Sequence, residues 1–242
     1  MNNLEFTALV GHRGGTDALA LHMNFLQEAA QPEGDGNAYG CLSAVRSVAS
    51  SIGVPVIANE TGAGVSFEQG RSLKAAGVSA IDVGGAGGSS MAAMESVRAE
   101  SKGETQTARL GQLFRDWGIP TPIAVVEARL GAPELPIIST GGVRSGLDAA
   151  RALALGASLV GMGFPFLKAA TQGEAVLRDF LDKFLAELKV AMQLSGAATV
   201  EQLQSRPVVV TGASREWLEQ RGFGDELRAM ARRGRKPATN LS

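Results

Sequence analysis

The chain has 242 residues, 45% hydrophobic and 19% charged, with 31 glycines and only 5% aromatics, which is enough for one sizeable aliphatic core and suits an α/β protein whose strands end in glycine turns. A net charge of −1 gives no electrostatic case for nucleic acid or an anionic membrane, and no apolar run approaches the roughly eighteen residues of a membrane span. The single cysteine, Cys41, excludes an internal disulfide framework, and the opening MNNLEF does not read as a signal peptide, so the chain is expected to be cytoplasmic.

Residues 1–16 show no clear periodicity and form an unassigned N-terminal segment. Asp17–Asn24 (DALALHMN) alternates apolar residues and is expected as the first strand, with His22 and Asn24 at its C-terminal end. FLQEAAQPEGDGN reads as a short loop carrying Gln27, Glu28, Gln31 and Glu33, followed by a helix over residues 42–51. Val54–Asn59 is the second strand, ending in the polar Asn59-Glu60-Thr61, and Phe67–Ala76 is a helix stopped by Gly77. Ala80–Val83 is the third strand and opens into GGAGGSS, whose glycines suggest a backbone held close to something flat or bulky. The charged stretch Glu95–Arg109 reads as too polar for core and suited to a mobile lid. Trp117–Thr121 closes it, and a helix over 122–129 leads on.

Leu135–Ser139, the pair Gly141-Gly142 and the apolar spacing Leu147, Ala150, Leu153 read as strand, turn and helix. Gly156 breaks the helix, and Ser158–Met162 is a fifth strand ending in Gly163-Phe164-Pro165. Two parallel strands in tandem, each ending in glycine, look like the last two units of a (β/α)8 barrel, where loops commonly hold phosphate. Glycine lets backbone N–H groups reach phosphate oxygens, and the next helix start adds partial positive charge. Ala175–Leu194 repeats apolar residues as a surface helix over a core, shorter helical pieces follow at 200–203 and 215–220, and residues 234–242 read as a disordered tail. The sequence thus predicts an α/β fold of the TIM-barrel type over residues 17–233 with five βα units, the C-terminal five of the eight that a closed barrel needs.

Taken together, LHMNFLQEAAQPEGD, NETGAG, IDVGGAGGSS, DWGIPT, STGGVRSGLDAARALALGASLVGMGFPFL and VVVTGASREWLEQRG resemble the type 2 isopentenyl-diphosphate isomerases. These flavin-dependent enzymes interconvert isopentenyl and dimethylallyl diphosphates. The resemblance implies that His22 and Asn24 face flavin and substrate, that Gln27 binds substrate, and that these three carry the catalysis. It implies that Glu28 holds Mg2+ against the diphosphate, as suits a hard cation that takes few carboxylates and keeps waters. Gly84 and Ser89 match flavin-contacting positions, and Gly142, Val143, Arg144, Gly163 and Phe164 match the segment that takes the flavin phosphate. FMN must be reduced, with NADPH to charge it, although the reaction is redox-neutral.

The chain departs from the family where Asn59 replaces a lysine beside the flavin, Met91 a tryptophan, Gly84 a serine and Ser89 a threonine; the family's N-terminal part has no counterpart. The implied partners are a small diphosphate substrate and either further copies of the chain, in a homo-oligomer, or a partner supplying the missing strands. Two other readings stay open. One is a flavoenzyme of the 2-hydroxy-acid oxidase type, which needs a late histidine where this chain has only His12 and His22. The other is a truncated, inactive or partner-dependent flavin-binding barrel.

Overall fold

The structure, a computed structural model, describes residues 16–31 and 37–234; the expectations for residues 1–15, for 32–36 with Glu33, and for 235–242 fall outside the described residues. By its contacts the chain divides into two compact units, residues 1–143 with 157–165, and residues 144–156 with 166–242.

The first unit contains a five-stranded parallel sheet in the order of the sequence: β1 (Leu19–Met23), β2 (Val56–Glu60), β3 (Ala80–Asp82), β4 (Ile137–Ser139) and β5 (Leu159–Val160). All five expected strands are present, each shorter than its apolar run because the flanking residues make no ladder. Consecutive parallel order is that of successive βα units in a barrel. One face carries Ala58, Ile81 and Ile137, all fully buried. The register aligns His22 with Asn59, Asn59 with Asp82, Asp82 with Ile138 and Ile138 with Leu159, so these side chains share the other face.

Six helices belong to this unit: α1 (Phe25–Ala30), α2 (Cys41–Ser51), α3 (Phe67–Ala75), α4 (Met91–Lys102), α5 (Thr105–Leu113) and α6 (Thr121–Gly131). Helix α3 starts at a capping box, with Gln69 N–H donating to Ser66 Oγ and Ser66 N–H to Gln69 Oε1. Helix α6 is apolar on nearly every side, with Ile123, Ala124, Val125, Val126 and Ala128 buried, as a helix enclosed on all faces requires. Its fully buried Glu127 accepts the Phe67 N–H at 2.9 Å and so satisfies a donor at the start of α3.

Two expectations are corrected here. The stretch over 95–109 is not too polar to pack: α4 and α5 meet through Ala92, Ser96, Ala99, Ala108 and Gly111, and Ser96 Oγ donates to Ala108 O at 2.8 Å. Apart from the buried Glu95, most of its charged side chains lie on the outer faces, while small residues at helical spacing form the seam. The segment after β1 is also not a loop throughout, because Asn24 caps a helix over Phe25–Ala30.

The second unit contains α7 (Gly146–Leu155), α9 (Glu174–Leu194), α10 (Val200–Gln204), α11 (Gly212–Gln220) and α12 (Gly224–Ala231), while α8 (Phe164–Ala170) runs into it. Helix α9 has no fully buried residue, so it is a more open element than the core-covering helix expected. Residues 208–210 form no strand. Arg233 ties α7 to α10 by donating to Ala154 O at 2.7 Å and Gln204 O at 3.1 Å. No helix among the described residues is long and apolar enough to cross a membrane.

Helices α7 and α9 cross at Gly146, where a Cβ would stand 2.2 Å from Phe184 O and 2.4 Å from Leu188 N. Backbone cannot yield as a side-chain tip does. Gly146→Ala is therefore expected to cost roughly 1–3 kcal/mol or more through overpacking, read as a lower melting temperature in a thermal unfolding scan.

Candidate active site

Side chains from two strand ends and two helices meet above β1 and β2. Asn24, just past β1, is 6% exposed and fully engaged. Its Oδ1 accepts Gln27 N–H at 2.9 Å, while Nδ2 donates to Thr61 O at 2.9 Å and Thr61 Oγ1 at 3.1 Å. It therefore caps α1 and ties it to the end of β2. That brings Gln27 to His22: His22 Nε2 lies 3.3 Å from Gln27 Oε1 and 3.4 Å from Thr61 Oγ1. The other end of the Gln27 amide donates to Glu95 Oε1 at 3.2 Å, and Glu95 Oε2 takes Arg98 Nη1 at 3.3 Å. Glu95 is 7% exposed. A buried carboxylate accepting from Nε2 fixes which way the Gln27 amide points, so its oxygen faces His22. Glu28 sits half-buried in the first turn of α1.

One strand further on, Asn59, Asp82 and Thr140 form a second group. Thr140 Oγ1 donates to Asp82 Oδ1, which also takes Gly84 N–H at 3.3 Å. In the orientation that satisfies both ends of its amide, Asn59 Nδ2 donates to Glu60 O and Asp82 Oδ2, each at 3.2 Å. Burial pushes the Asp82 carboxyl above its ordinary range, against the opposing pull of the Thr140 hydroxyl and the Gly84 N–H. Glu60 points away from this row into the turn that follows it. Its Oε2 accepts N–H from Gly62, Ala63 and Gly64 at 2.8, 2.7 and 2.8 Å. Burial still outweighs those bonds and raises its pKa as well.

The glycines at the strand ends serve the fold before any ligand. A Cβ on Gly84 would stand 1.8 Å from Glu60 O, one on Gly85 2.4 Å from Thr121 Cα, and one on Gly142, at φ +78°, 2.5 Å from Gly87 O. The expectation that GGAGGSS lies against a bulky ligand is thus corrected at Gly84 and Gly85, which lie against neighbouring loops. Gly163 is different: it is exposed, and a Cβ there would meet nothing within 4 Å. Gly142, Val143, Gly163 and Phe164 all follow strand ends of the first unit, and Ser89 is exposed beyond the glycine loop. Arg144 belongs to the second unit, where its N–H donates to Asp148 Oδ2 at 3.2 Å. The open backbone at Gly163-Phe164 fits a phosphate; at Gly84, Gly85 and Gly142 the side where a Cβ would stand is filled by neighbouring backbone.

A model of the FMN-dependent dehydrogenase family matches residues 65–210, more than half of the chain. The chain belongs to that family. Among relatives, the isopentenyl-diphosphate delta-isomerase of Methanosarcina barkeri is 49% identical over 215 residues, 89% of this chain and 58% of its own length. That of Methanothermobacter thermautotrophicus is 46% identical over 232 residues, 96% of this chain and 64% of its own. The chain therefore spans less than two thirds of these relatives, and its resemblance to the type 2 isomerases stands. A solved mandelate oxidase is 20% identical, with a TM-score of 0.58, covering 84% of this chain and 59% of that one. It shares the fold.

The structure unites His22, Asn24 and Gln27, places Asn59 one strand away, and adds Glu95, Asp82, Thr140 and Thr121, which sequence reasoning passed over. Asp82, a carboxylate at a strand end, was the one legible signal among them.

The raised pKa of Glu60 has a stability consequence with a definite sign. A folded value above the unfolded 4.5 means the folded state binds the proton more tightly, so stability is lost as pH rises through the folded value. Glu60→Gln keeps an acceptor oxygen and removes the titration. In urea unfolding across pH, the stability of the wild type minus that of the variant is expected to rise as pH falls from neutral toward 4.5 and to level off below it.

Proposed function

We propose that this chain carries the site of an isomerase that interconverts isopentenyl and dimethylallyl diphosphates in isoprenoid synthesis, using reduced FMN and Mg2+. The observation that supports it is the Asn24–Gln27–His22–Glu95 network at the strand mouth, in a chain 49% identical to a protein named for that reaction. The reaction adds one proton to the terminal alkene carbon and removes one from the carbon two bonds away, so composition and oxidation state are unchanged. Reduced FMN, when bound, supplies the proton-exchanging ring, and NADPH would keep it reduced.

The protein's part is position and charge. Gln27, its amide direction set by Glu95, presents its oxygen beside His22, and the pair is suited to hold and orient the allylic diphosphate. Glu28 is the carboxylate for Mg2+. No group of three or more metal-ligating side chains occurs among the described residues, so the ion would take this one carboxylate together with substrate phosphate oxygens and water. Gly163 and Phe164, with Gly142 and Val143, would hold the flavin phosphate, Ser89 and Asn59 would face the flavin over the loop that Gly84 packs, and Arg144 would add a cation from the chain just beyond. A cytoplasmic location would give access to NADPH. β1 and β5 each pair with one strand among the described residues. Further copies of the chain, or a partner supplying strands, would cover those edges, and the chain alone is expected to be a poor isomerase.

The test is to purify residues 1–242 and measure FMN content and isomerisation with reduced FMN and Mg2+. Flavin bound without turnover, whatever is added, would favour a flavin-binding protein that has lost the reaction, as Asn59 in place of lysine suggests. Where turnover exists, Glu28→Gln is expected to raise the Mg2+ concentration for half-maximal rate roughly tenfold or more, and an unchanged Mg2+ dependence would remove Glu28 from the site. Gly163→Val is expected to weaken FMN binding with the melting temperature unchanged, since its Cβ meets nothing within 4 Å. Equal FMN affinity would count against the phosphate site.

A further inference from the structure

The segment Trp117–Thr121 (WGIPT) has no role in the site as proposed, yet the structure puts its last residue between two glycine loops. Thr121 is 7% exposed. Its hydroxyl donates to Gly141 O at 2.7 Å, with Ala86 O and Thr140 O farther away at 3.4 Å, and its own N–H donates to Ala86 O at 3.1 Å. A Cβ on Gly85 would stand 2.5 Å from Thr121 Oγ1, and one on Gly141, at φ +102°, 2.7 Å from it. Backbone is closer still, with a Gly85 Cβ 2.4 Å from Thr121 Cα and a Gly141 Cβ 2.0 Å from Gly85 O, so the hydroxyl sits where the two loops already meet. Valine would fill the same volume, so packing alone does not ask for threonine. The hydroxyl is there for the carbonyl.

A peptide unit is rigid and planar. Fixing the Gly141 carbonyl therefore fixes the plane that leads into Gly142 and Val143, the backbone proposed to approach the flavin phosphate. We infer that Thr121 is a positioning residue for that phosphate: it touches no ligand, and it holds the Gly141–Gly142 peptide in the one orientation that lets the loop receive the anion. The inference rests on the flavin reading above. It extends that reading by assigning the phosphate-loop geometry to a hydrogen bond from the start of α6. Without the hydroxyl, the Gly141 carbonyl loses a buried donor and the loop is left to relax around it.

FMN and riboflavin differ only in the phosphate, so their affinities separate positioning from general stability. Dissociation constants for both are measured by flavin fluorescence in the wild type, Thr121→Val and Thr121→Ser. Thr121→Val is expected to weaken FMN roughly tenfold, about 1.4 kcal/mol, with riboflavin held within about twofold. Thr121→Ser, which keeps the hydroxyl, should restore most of the FMN affinity. Equal weakening of both flavins, no weakening at all, or failure of Thr121→Ser to rescue would overturn the assignment. So would outright unfolding of both Thr121→Val and Thr121→Ala, which would make Thr121 a core residue. A wild type that binds neither flavin would overturn the flavin reading itself. A wild type that prefers FMN by a margin that Thr121→Val preserves would overturn the positioning role alone.

Discussion

Backbone lies directly against backbone at the C-terminal ends of the strands, and the site depends on that contact. The turn at 62–64, the glycine loop at 84–88, the segment 118–121 and the turn at 140–142 are stacked so closely that there is no room for side chains between them. A Cβ on Gly64 would stand 2.7 Å from Ile119 O, one on Gly118 2.8 Å from Ala63 Cα, and one on Gly141 2.0 Å from Gly85 O. Hydrogen bonds run through the same stack, from Gly62 N–H and Gly64 N–H to Gly84 O and from Gly85 N–H to Thr140 O. Glycine loses more chain entropy on folding than any other residue. That cost is offset here because four loops become one rigid rim, and the functional side chains are carried on or beside it.

Carboxylates finish what the glycines begin. Glu60 satisfies three successive N–H groups of the 62–64 turn, Glu127 satisfies the start of α3, and Glu95 sets the Gln27 amide. Glu60 gives the Ala63 N–H an acceptor and adds a second one for the Gly62 and Gly64 N–H groups that already reach Gly84 O; a buried donor left without its partner costs about 1–3 kcal/mol. The compensation is incomplete at Glu60 and Asp82, where burial raises both pKa values in spite of the bonds. Burying these two acids carries a cost, and the groups bonded to them, the Ala63 N–H and the Thr140 hydroxyl among them, are what the cost secures.

The strands were legible because each is a short apolar run ending in glycine or a polar cluster, and a parallel sheet buried on one face leaves that signature. The helix α1 was hidden by its shortness and by the Gln, Glu, Pro and Gly around it, although Asn24 followed by Gln27 already carried the cap. The stretch over 95–109 misled for a different reason. Average polarity over 95–109 says nothing about which face a charge occupies, and Ala92, Ser96 and Ala99 recur at the helical spacing of a packed seam. The glycine loops show the sharpest limit. Sequence can report that a backbone must pass close to something, but whether that thing is a ligand or another loop depends on residues 20 to 60 positions away, such as Thr121 and Glu60. The site residues at 22, 24 and 27 were legible through resemblance, whereas Glu95 was not, since a buried acid inside a charged run looks like its neighbours.

The row His22, Asn59, Asp82 across three strands then sets the chemistry the mouth can offer. Asn59 Nδ2 is committed to two acceptors, Glu60 O and Asp82 Oδ2, so both hydrogens of its amide are already used within the fold. Asp82, anchored by Thr140 and Gly84, lies behind it as a second acceptor. Held by Asp82 and the Glu60 carbonyl, the Asn59 amide brings no basic group to its place in the row. A lysine at position 59 would face the same two acceptors and reverse that character by pairing with Asp82. The difference between amide and ammonium at this one position therefore changes the electrostatics of the mouth without changing its shape, because the acceptors that would receive either group are already fixed by the rim.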